Sequence, residues 1–299
     1  MRILVSGASG LVGSSLVPVL ASQGHDIGRF VRPPATPGSR DISWDPSRGA
    51  FDAVRLRGVA AVIHLAGENI AAGRWNRARK ERIRRSRVDG TLILTRALAA
   101  AESPPRILIT ASAVGYYGDR GEEILTEKSE RGHGFLPAVC VAWESATEPA
   151  EAKGIRVVHL RFGVILSRHG GALKKMLLPF RLGLGGIVGS GRQYMPWISI
   201  DDAVGVILHV LQDSTLRGPV NVVAPESVTN HRFTKELGRT LGRPTIFPMP
   251  AFAARLAFGE MADALLLASA RVEPGVLRSS GYRFLHSGLE EALTHILGR

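Results

Sequence analysis

Residues 2–24 read RILVSGASGLVGSSLVPVLASQG. The apolar run that ends at Gly7 predicts a short buried strand. From Leu11 the apolar residues recur at helical spacing and stop at Gly24, which predicts a helix. Pro18 falls inside that helix and counts against its being undisturbed. Between strand and helix, Gly7, Gly10 and Gly13 make a G-x-x-G-x-x-G loop. Glycines at such positions permit a tight turn, close approach of backbone to a pyrophosphate, and close helix–strand contact. The start of a helix adds free N–H groups and partial positive charge. A structural turn would need only the first of these. The strand–loop–helix context instead points to a dinucleotide site.

Outward from this loop the pattern alternates. Strands are predicted at 26–32, 60–67, 106–113, 155–166 and 219–224. Helices are predicted at about 75–101, at 135–154 and at 201–213. Such alternation implies a parallel sheet covered on both faces, an α/β fold. Beyond residue 166 the alternation weakens into a glycine-rich stretch, and the last 50 residues read as short helices. The expected organisation is a nucleotide-binding domain at 1–166 and 201–226 and a smaller, mostly helical substrate lobe at 167–200 and 227–299. A substrate cleft would lie between them.

The 299 residues are 45% hydrophobic, enough for one large core or two intimate ones. Cys140 is the one cysteine, so there is no disulfide framework, and the chain suits a reducing cytoplasm. The nine histidines are scattered without metal-ligand spacing, so no metal is expected. No apolar run is long enough for a membrane span, and the start reads as a strand rather than a signal peptide. Net charge is +12, concentrated in RWNRARKERIRRSR from Arg74 to Arg87. This run predicts the solvated face of a helix, and with Trp75 as its one aromatic and no nucleic-acid motif it disfavours nucleic acid as a partner.

The second strand bears on cofactor choice. A site for NAD usually ends this strand in Asp or Glu, about 20 residues on, to hold the ribose. Here it ends RFVRPP, with Arg32 19 residues after Gly13 and Arg29 close by. A guanidinium can grip a 2′-phosphate bidentately, so NADP(H) is the expected cofactor.

The chain resembles the extended short-chain dehydrogenase/reductase superfamily, specifically its NAD-dependent epimerase-like branch with a C-terminal domain of unknown function. The likeness rests on SGASGLVG (6–13), HLAGENI (64–70), SRVDGT (86–91), TASAVGYYGD (110–119), residues 161–202 and residues 250–284. It implies a Rossmann-type, doubly wound sheet with a small, mostly helical C-terminal substrate lobe. Ser9, Leu11 and Val12 would join the three glycines at the cofactor. So would Leu65, Ala66, Gly67 and Glu68 after strand four, and Arg87 on the following helix. Arg192, Tyr194 and Trp197, in GSGRQYMPWISIDD, would contact a small-molecule substrate. Asp201 and Asp202 read as a cap for the next helix. A homodimer stays open.

The superfamily transfers a proton through Tyr-x-x-x-Lys and polarises the substrate oxygen with Ser or Thr. By the resemblance Ser112 takes the serine role. At the Tyr and Lys positions stand Cys140 and Glu144, on one helical face. A carboxylate raises a neighbouring thiol's pKa, so Cys140 is a poor copy of the tyrosine and can equally be a small buried residue. Glu144 can be a base or a structural acceptor. Tyr116 and Tyr117 offer a second source of a phenol. Two functions follow. One is an NADP-dependent oxidoreductase or epimerase with a modified proton relay, favoured by Ser112, Glu144 and the substrate loop. The other is an NADP(H)-binding redox sensor or scaffold without turnover, favoured by the missing dyad.

Overall fold

The structure, a computed structural model, describes residues 1–33, 40–46, 49 and 53–298. Among these, eleven strands form three sheets. They are β1 (Arg2–Ser6), β2 (Asp26–Val31), β3 (Ile42–Ser43), β4 (Val59–His64), β5 (Ile107–Ala113), β6 (Ile124–Leu125), β7 (Arg156–Phe162), β8 (Val164–Leu166), β9 (Trp197–Ser199), β10 (Gly218–Val222) and β11 (Arg271–Val272). The main sheet runs β10-β7-β5-β4-β1-β2-β3, every pair parallel. Two small sheets pair β6 with β11 and β8 with β9.

Side chains alternate across the main sheet, as the period-2 geometry of a strand requires. Ile3, Val5, Ile63, Ile109 and Leu160 face α1 (Leu11–Ser22) and a later helix at Ile200–Gln212. Leu4, Val62, Leu108 and Val157 pack instead against Leu94 and Leu98 of α2 (Arg77–Ala100). Helices thus cover both faces, which makes the sheet Rossmann-like and doubly wound, as expected.

Pro18 does not break α1. It lies on the exposed face, and the carbonyl it leaves unbonded belongs to exposed Ser14, where water can reach it.

The expected helix at 135–154 is two helices, α3 (Phe135–Ser145) and α4 (Glu148–Ala152). Pro149 stands in the first turn of α4, where it has no N–H to continue the earlier ladder. Fully buried Thr147 stabilises the join by donating from Oγ1 to the Glu144 carbonyl at 2.7 Å.

The expected strand at 155–166 likewise divides at Gly163. β7 stays in the main sheet, and β8 leaves to pair with β9. A Cβ on Gly163 would sit 2.8 Å from the Pro196 carbonyl oxygen, so only glycine lets the chain change sheets there.

The remaining helices are α5 (Gly171–Arg181), α6 (Ile200–Gln212), α7 (Asn230–Leu241), α8 (Ala251–Phe258) and shorter pieces, ending in a terminal helix at Leu289–Leu297. A separate core gathers Leu173, Leu177, Phe233, Leu237, Leu289 and Leu293 from α5, α7 and the terminal helix. The basic run Arg74–Arg87 is more than a solvated face. Lys80 pairs with Glu260 at 2.7 Å, and Arg74 donates to the Leu256 carbonyl at 2.5 Å, tying the start of α2 to the C-terminal region. Among the described residues no helix is long and apolar enough to cross a membrane.

Candidate functional site

β1 and β4 end side by side, with Ser6 opposite His64. The chain leaves β1 for β2 on one side and later fills β4 on the other, so their carboxyl ends open at a topological switch point. The three loop glycines meet different demands there. Gly7 has φ +67°, and an added Cβ would lie 2.7 Å from the Leu65 carbonyl carbon. A Cβ on Gly13 would lie 2.3 Å from the Gly7 oxygen. Gly10 is exposed, and its Cβ would meet only that oxygen, at 3.2 Å. Gly7 and Gly13 are therefore required by the fold itself, while Gly10 leaves open space over the start of α1. The N–H groups of Leu11, Val12 and Gly13 have no carbonyl one turn back within the helix, and Gly10 caps it without a side chain. Ser9 is exposed beside them.

A buried hydrogen-bond cluster shapes the facing edge. Ser6 Oγ accepts from the N–H groups of Leu65 (3.1 Å) and Ala66 (3.3 Å). Its own proton then goes to His64 Nδ1, 2.6 Å away, which leaves the ring hydrogen on Nε2. Complete burial lowers the His64 pKa to about 4, so the ring is neutral at physiological pH. Because the folded pKa lies below the ordinary value of 6.5, stability is full above that value and is lost as pH falls from 6.5 towards 4. Urea unfolding should show about 3 kcal/mol of this loss, absent from the His64→Asn variant. Parallel pH profiles of the two proteins would refute the assignment.

Beyond β2, Arg32 is exposed on a bend, and Pro34 of the RFVRPP motif lies outside the described residues. Arg29 grips Asp41 with both arms, Nε to Oδ1 at 3.1 Å and an η nitrogen to Oδ2 at 2.6 Å. An acid therefore does approach the strand end, brought by the neighbouring β3 segment rather than by β2, and it occupies the Arg29 fork. Arg32 is exposed at this edge, as are the ion-paired Arg29 and Arg40.

Leu65, Ala66 and Gly67 run from β4 along the crevice. Arg87 lies against Gly67, where an added Cβ would be 3.4 Å from its guanidinium carbon. It donates to the Glu68 carbonyl at 3.0 Å and lies over the Trp143 ring at 5.1 Å. Burial lowers its pKa, countered in part by the charge of Glu68. The Glu68 side chain is taken up by Arg79 at 2.9 Å.

The residues expected to do chemistry converge at the end of β5. Ser112 lies opposite Arg161 of β7 in the sheet register. Ser112 Oγ donates to Glu144 Oε1 at 2.6 Å. Arg161 holds the same carboxylate bidentately, Nε to Oε1 at 2.8 Å and an η nitrogen to Oε2 at 2.7 Å. Burial disfavours the guanidinium's charge, but the bonds and charge of Glu144 outweigh it and raise the Arg161 pKa. The other η nitrogen donates to Tyr117 Oη at 3.0 Å, and that hydroxyl donates to Asn221 Oδ1 of β10 at 2.7 Å. Tyr116 lies under Arg161, whose guanidinium carbon is 3.5 Å from the ring centroid.

This geometry sorts the candidates. Tyr117 is fully buried, and its pKa is pushed up to about 12, mainly by burial. Cys140 is buried and points at the Ala113 carbonyl, 3.7 Å away. Burial first, and Glu144 second, push its thiol up to about 12. Neither group titrates near neutrality. Ser112, which is buried, Glu144 and half-buried Tyr116 remain, with Tyr116 joined to the Ser112–Glu144 pair through Arg161.

Arg161 and Asn221 escaped the sequence reading. The superfamily pattern puts a cation four residues on along the same helix, whereas here the cation comes from β7. Its signal was an arginine inside the apolar run of β7, where an unpaired charge would be costly.

In the loop expected to contact substrate, Arg192 is exposed, and Tyr194 lies under Arg271 at 5.3 Å. Gln193 is a latch, donating to the carbonyls of Val188 and Leu266 at 2.9 Å each. Trp197 is 1% exposed, packed in the core of α5 and α7, with Nε1 donating to the Glu226 carbonyl. Its indole offers no face to a ligand here, because β9 points it inward. The cap of α6 is Ser199, which accepts from the Asp202 N–H at 3.0 Å. Asp202 is in the first turn and fully buried.

Residues 3–223 match the family model described as the NAD dependent epimerase/dehydratase family. Residues 249–296 match a domain of unknown function, DUF1731. The chain is 43% identical over 297 residues to epimerase family protein Mb2239 of Mycobacterium bovis, covering 99% of this chain and 98% of that one. It is 36% identical over 301 residues to human epimerase family protein SDR39U1, covering 99% and 100%. The crystal structure of the human protein (isoform 2) with NADPH superimposes with a TM-score of 0.91 at 35% identity, covering 100% of both chains. A nucleoside-diphosphate sugar epimerase of Corynebacterium glutamicum is 37% identical with a TM-score of 0.82, covering 100% of this chain and 58% of that one. With the glycine loop at the switch point of a doubly wound sheet and a family model matched over most of its length, the chain belongs to the NAD dependent epimerase/dehydratase family.

Proposed function

We propose that this chain binds NADP(H) at the carboxyl ends of β1 and β4 and is an oxidoreductase or epimerase acting on a small molecule. The open surface at Gly10, the free N–H groups of α1 and exposed Arg32 fit a dinucleotide with a 2′-phosphate. That the most similar structure described above holds NADPH supports the same choice. The observation that carries the catalytic reading is the 2.6 Å bond from Ser112 to a carboxylate that Arg161 clamps.

When bound, the nicotinamide supplies a hydride acceptor or donor. The protein's part is the proton. In the oxidising direction the substrate hydroxyl passes its proton to Ser112 Oγ as Ser112 passes its own to Glu144. Arg161 holds the carboxylate in place for that transfer. In the reducing direction the protons travel back. The relay replaces the Tyr-x-x-x-Lys dyad with Ser–Glu–Arg. A second reading, an NADP(H)-binding sensor or scaffold without turnover, is favoured by the Cys140 thiol and Tyr117 phenol, both pushed beyond use at neutral pH.

Fluorescence titration should give NADPH at least about tenfold tighter binding than NADH, the effect of one charge-assisted bidentate pair. Arg32→Ala should remove most of the difference. Equal affinities in the unaltered protein would overturn the cofactor assignment. Single-turnover oxidation of NADPH across carbonyl substrates and sugar nucleotides separates the two readings, since tight binding with no turnover selects the second.

A further inference from the structure

Far along the sequence from one another, Asp201, His286 and His295 come together in space. Asp201 opens α6, His286 precedes the terminal helix, and His295 lies in its last turn. One donor atom from each lies within 4.8 Å of the others. Asp201 Oδ2 is 3.3 Å from His295 Nε2 and 4.0 Å from His286 Nε2. Zinc bonded at roughly 2.0–2.1 Å in tetrahedral geometry sets its ligand atoms about 3.3 Å apart. Small side-chain rotations would bring all three donors to that spacing.

Three further observations point to a ligand. His286 is 9% exposed, and its buried Nδ1 has no hydrogen-bond partner. That nitrogen faces Glu291 Oε1 at 3.8 Å, beyond hydrogen-bond distance, and a rotation of the exposed Glu291 side chain would let it hold the ring as a carboxylate holds a metal-bound imidazole. Second, the two imidazole rings lie side by side, their centroids 4.6 Å apart. Third, the backbone presenting His286 is fixed in advance. The Asp202 carboxylate accepts the N–H groups of Leu285 at 2.7 Å and His286 at 3.0 Å.

We propose that Asp201, His286 and His295 form a site for a divalent transition-metal ion of zinc type, which clips the terminal helix to the start of α6. The donor set of two imidazoles and one carboxylate suits zinc over magnesium or calcium. The Asp201 and His295 side chains are 43% and 58% exposed, so the ion can enter from solvent and keep a water in its fourth position.

The test uses the full chain, without an affinity tag and stripped with chelator, titrated with Zn²⁺ in a calorimeter. One saturable site is expected, together with a rise in the thermal midpoint that Mg²⁺ does not produce. His295→Ala alters an exposed side chain and should abolish binding while leaving the zinc-free midpoint unchanged. Glu291→Gln should weaken binding by about tenfold or more. No saturable binding below about 100 μM Zn²⁺, well above the range of a built site, would overturn the proposal. So would binding that persists in both His295→Ala and His286→Asn. Saturable binding without a rise in the midpoint would overturn the clip.

Discussion

The Gly10→Val variant should fold normally and lose NADPH binding by more than about 100-fold, because a branched side chain fills the space the pyrophosphate needs. Its neighbours behave differently. Gly7→Ala puts a Cβ 2.7 Å from a carbonyl carbon in a left-handed backbone, and Gly13→Ala puts one 2.3 Å from a carbonyl oxygen. Both should lose stability along with binding. Gly10 has extended backbone angles, φ −75° and ψ 177°, that any residue adopts, and meets only one atom at 3.2 Å. Circular dichroism melts beside NADPH titrations separate the two effects. A folded Gly10→Val protein with undiminished affinity would place the cofactor elsewhere.

The Arg161–Glu144 pair should show the largest stability effect. Their side chains are 4% and 14% exposed, so removing either leaves a nearly buried charge alone. Arg161→Met should cost about 3–5 kcal/mol in urea unfolding. Arg161→Met combined with Glu144→Leu should recover a large part of that loss, since no lone charge remains. Costs below about 1 kcal/mol for Arg161→Met, the scale of an exposed pair, would show that the clamp is not formed. Catalysis gives an independent check. Ser112→Ala should reduce turnover by about 10²–10³-fold, as for loss of one positioned donor. Glu144→Gln keeps the shape, so a proton-transfer role predicts a large fall in turnover with NADPH affinity unchanged. Cys140→Ala should retain most activity. If it alone were inactive, the roles given to Ser112 and Glu144 would be wrong.

The cofactor end of the molecule was legible because its determinants are local. Strand, glycine spacing and helix all fall within residues 2–24, and Gly10 and Gly13 act on atoms of that same loop, while Gly7 also meets the backbone at Leu65. The divisions at Thr147 and Gly163 were less visible. Both lie in runs whose hydrophobic period continues unbroken, and the cause is one residue, Pro149 in the first case and a close approach to Pro196 in the second. The chemistry was half legible. Ser112 and Glu144 could be located through the resemblance to the superfamily's motifs, but their shared partner Arg161 is contributed by strand register, which no local motif records. Trp197 reads as a ligand-facing aromatic only until β9 turns it inward. The meeting of Asp201 with His286 and His295 has no sequence signal, because it depends on where the terminal helix docks.

The order of strands in the main sheet also sets an order in time. A chain emerging from the ribosome can pair β1, β2, β4, β5 and β7 early, since domains assemble from the N-terminus as they are made. β10 follows only after the excursion through α5, β9 and α6, so until residues 218–222 appear β7 is an open edge carrying Arg161. Asn221, the acceptor for the Tyr117 hydroxyl, arrives with that last strand. The hydrogen-bond chain from Arg161 through Tyr117 to Asn221 is therefore complete only once β10 has paired with β7.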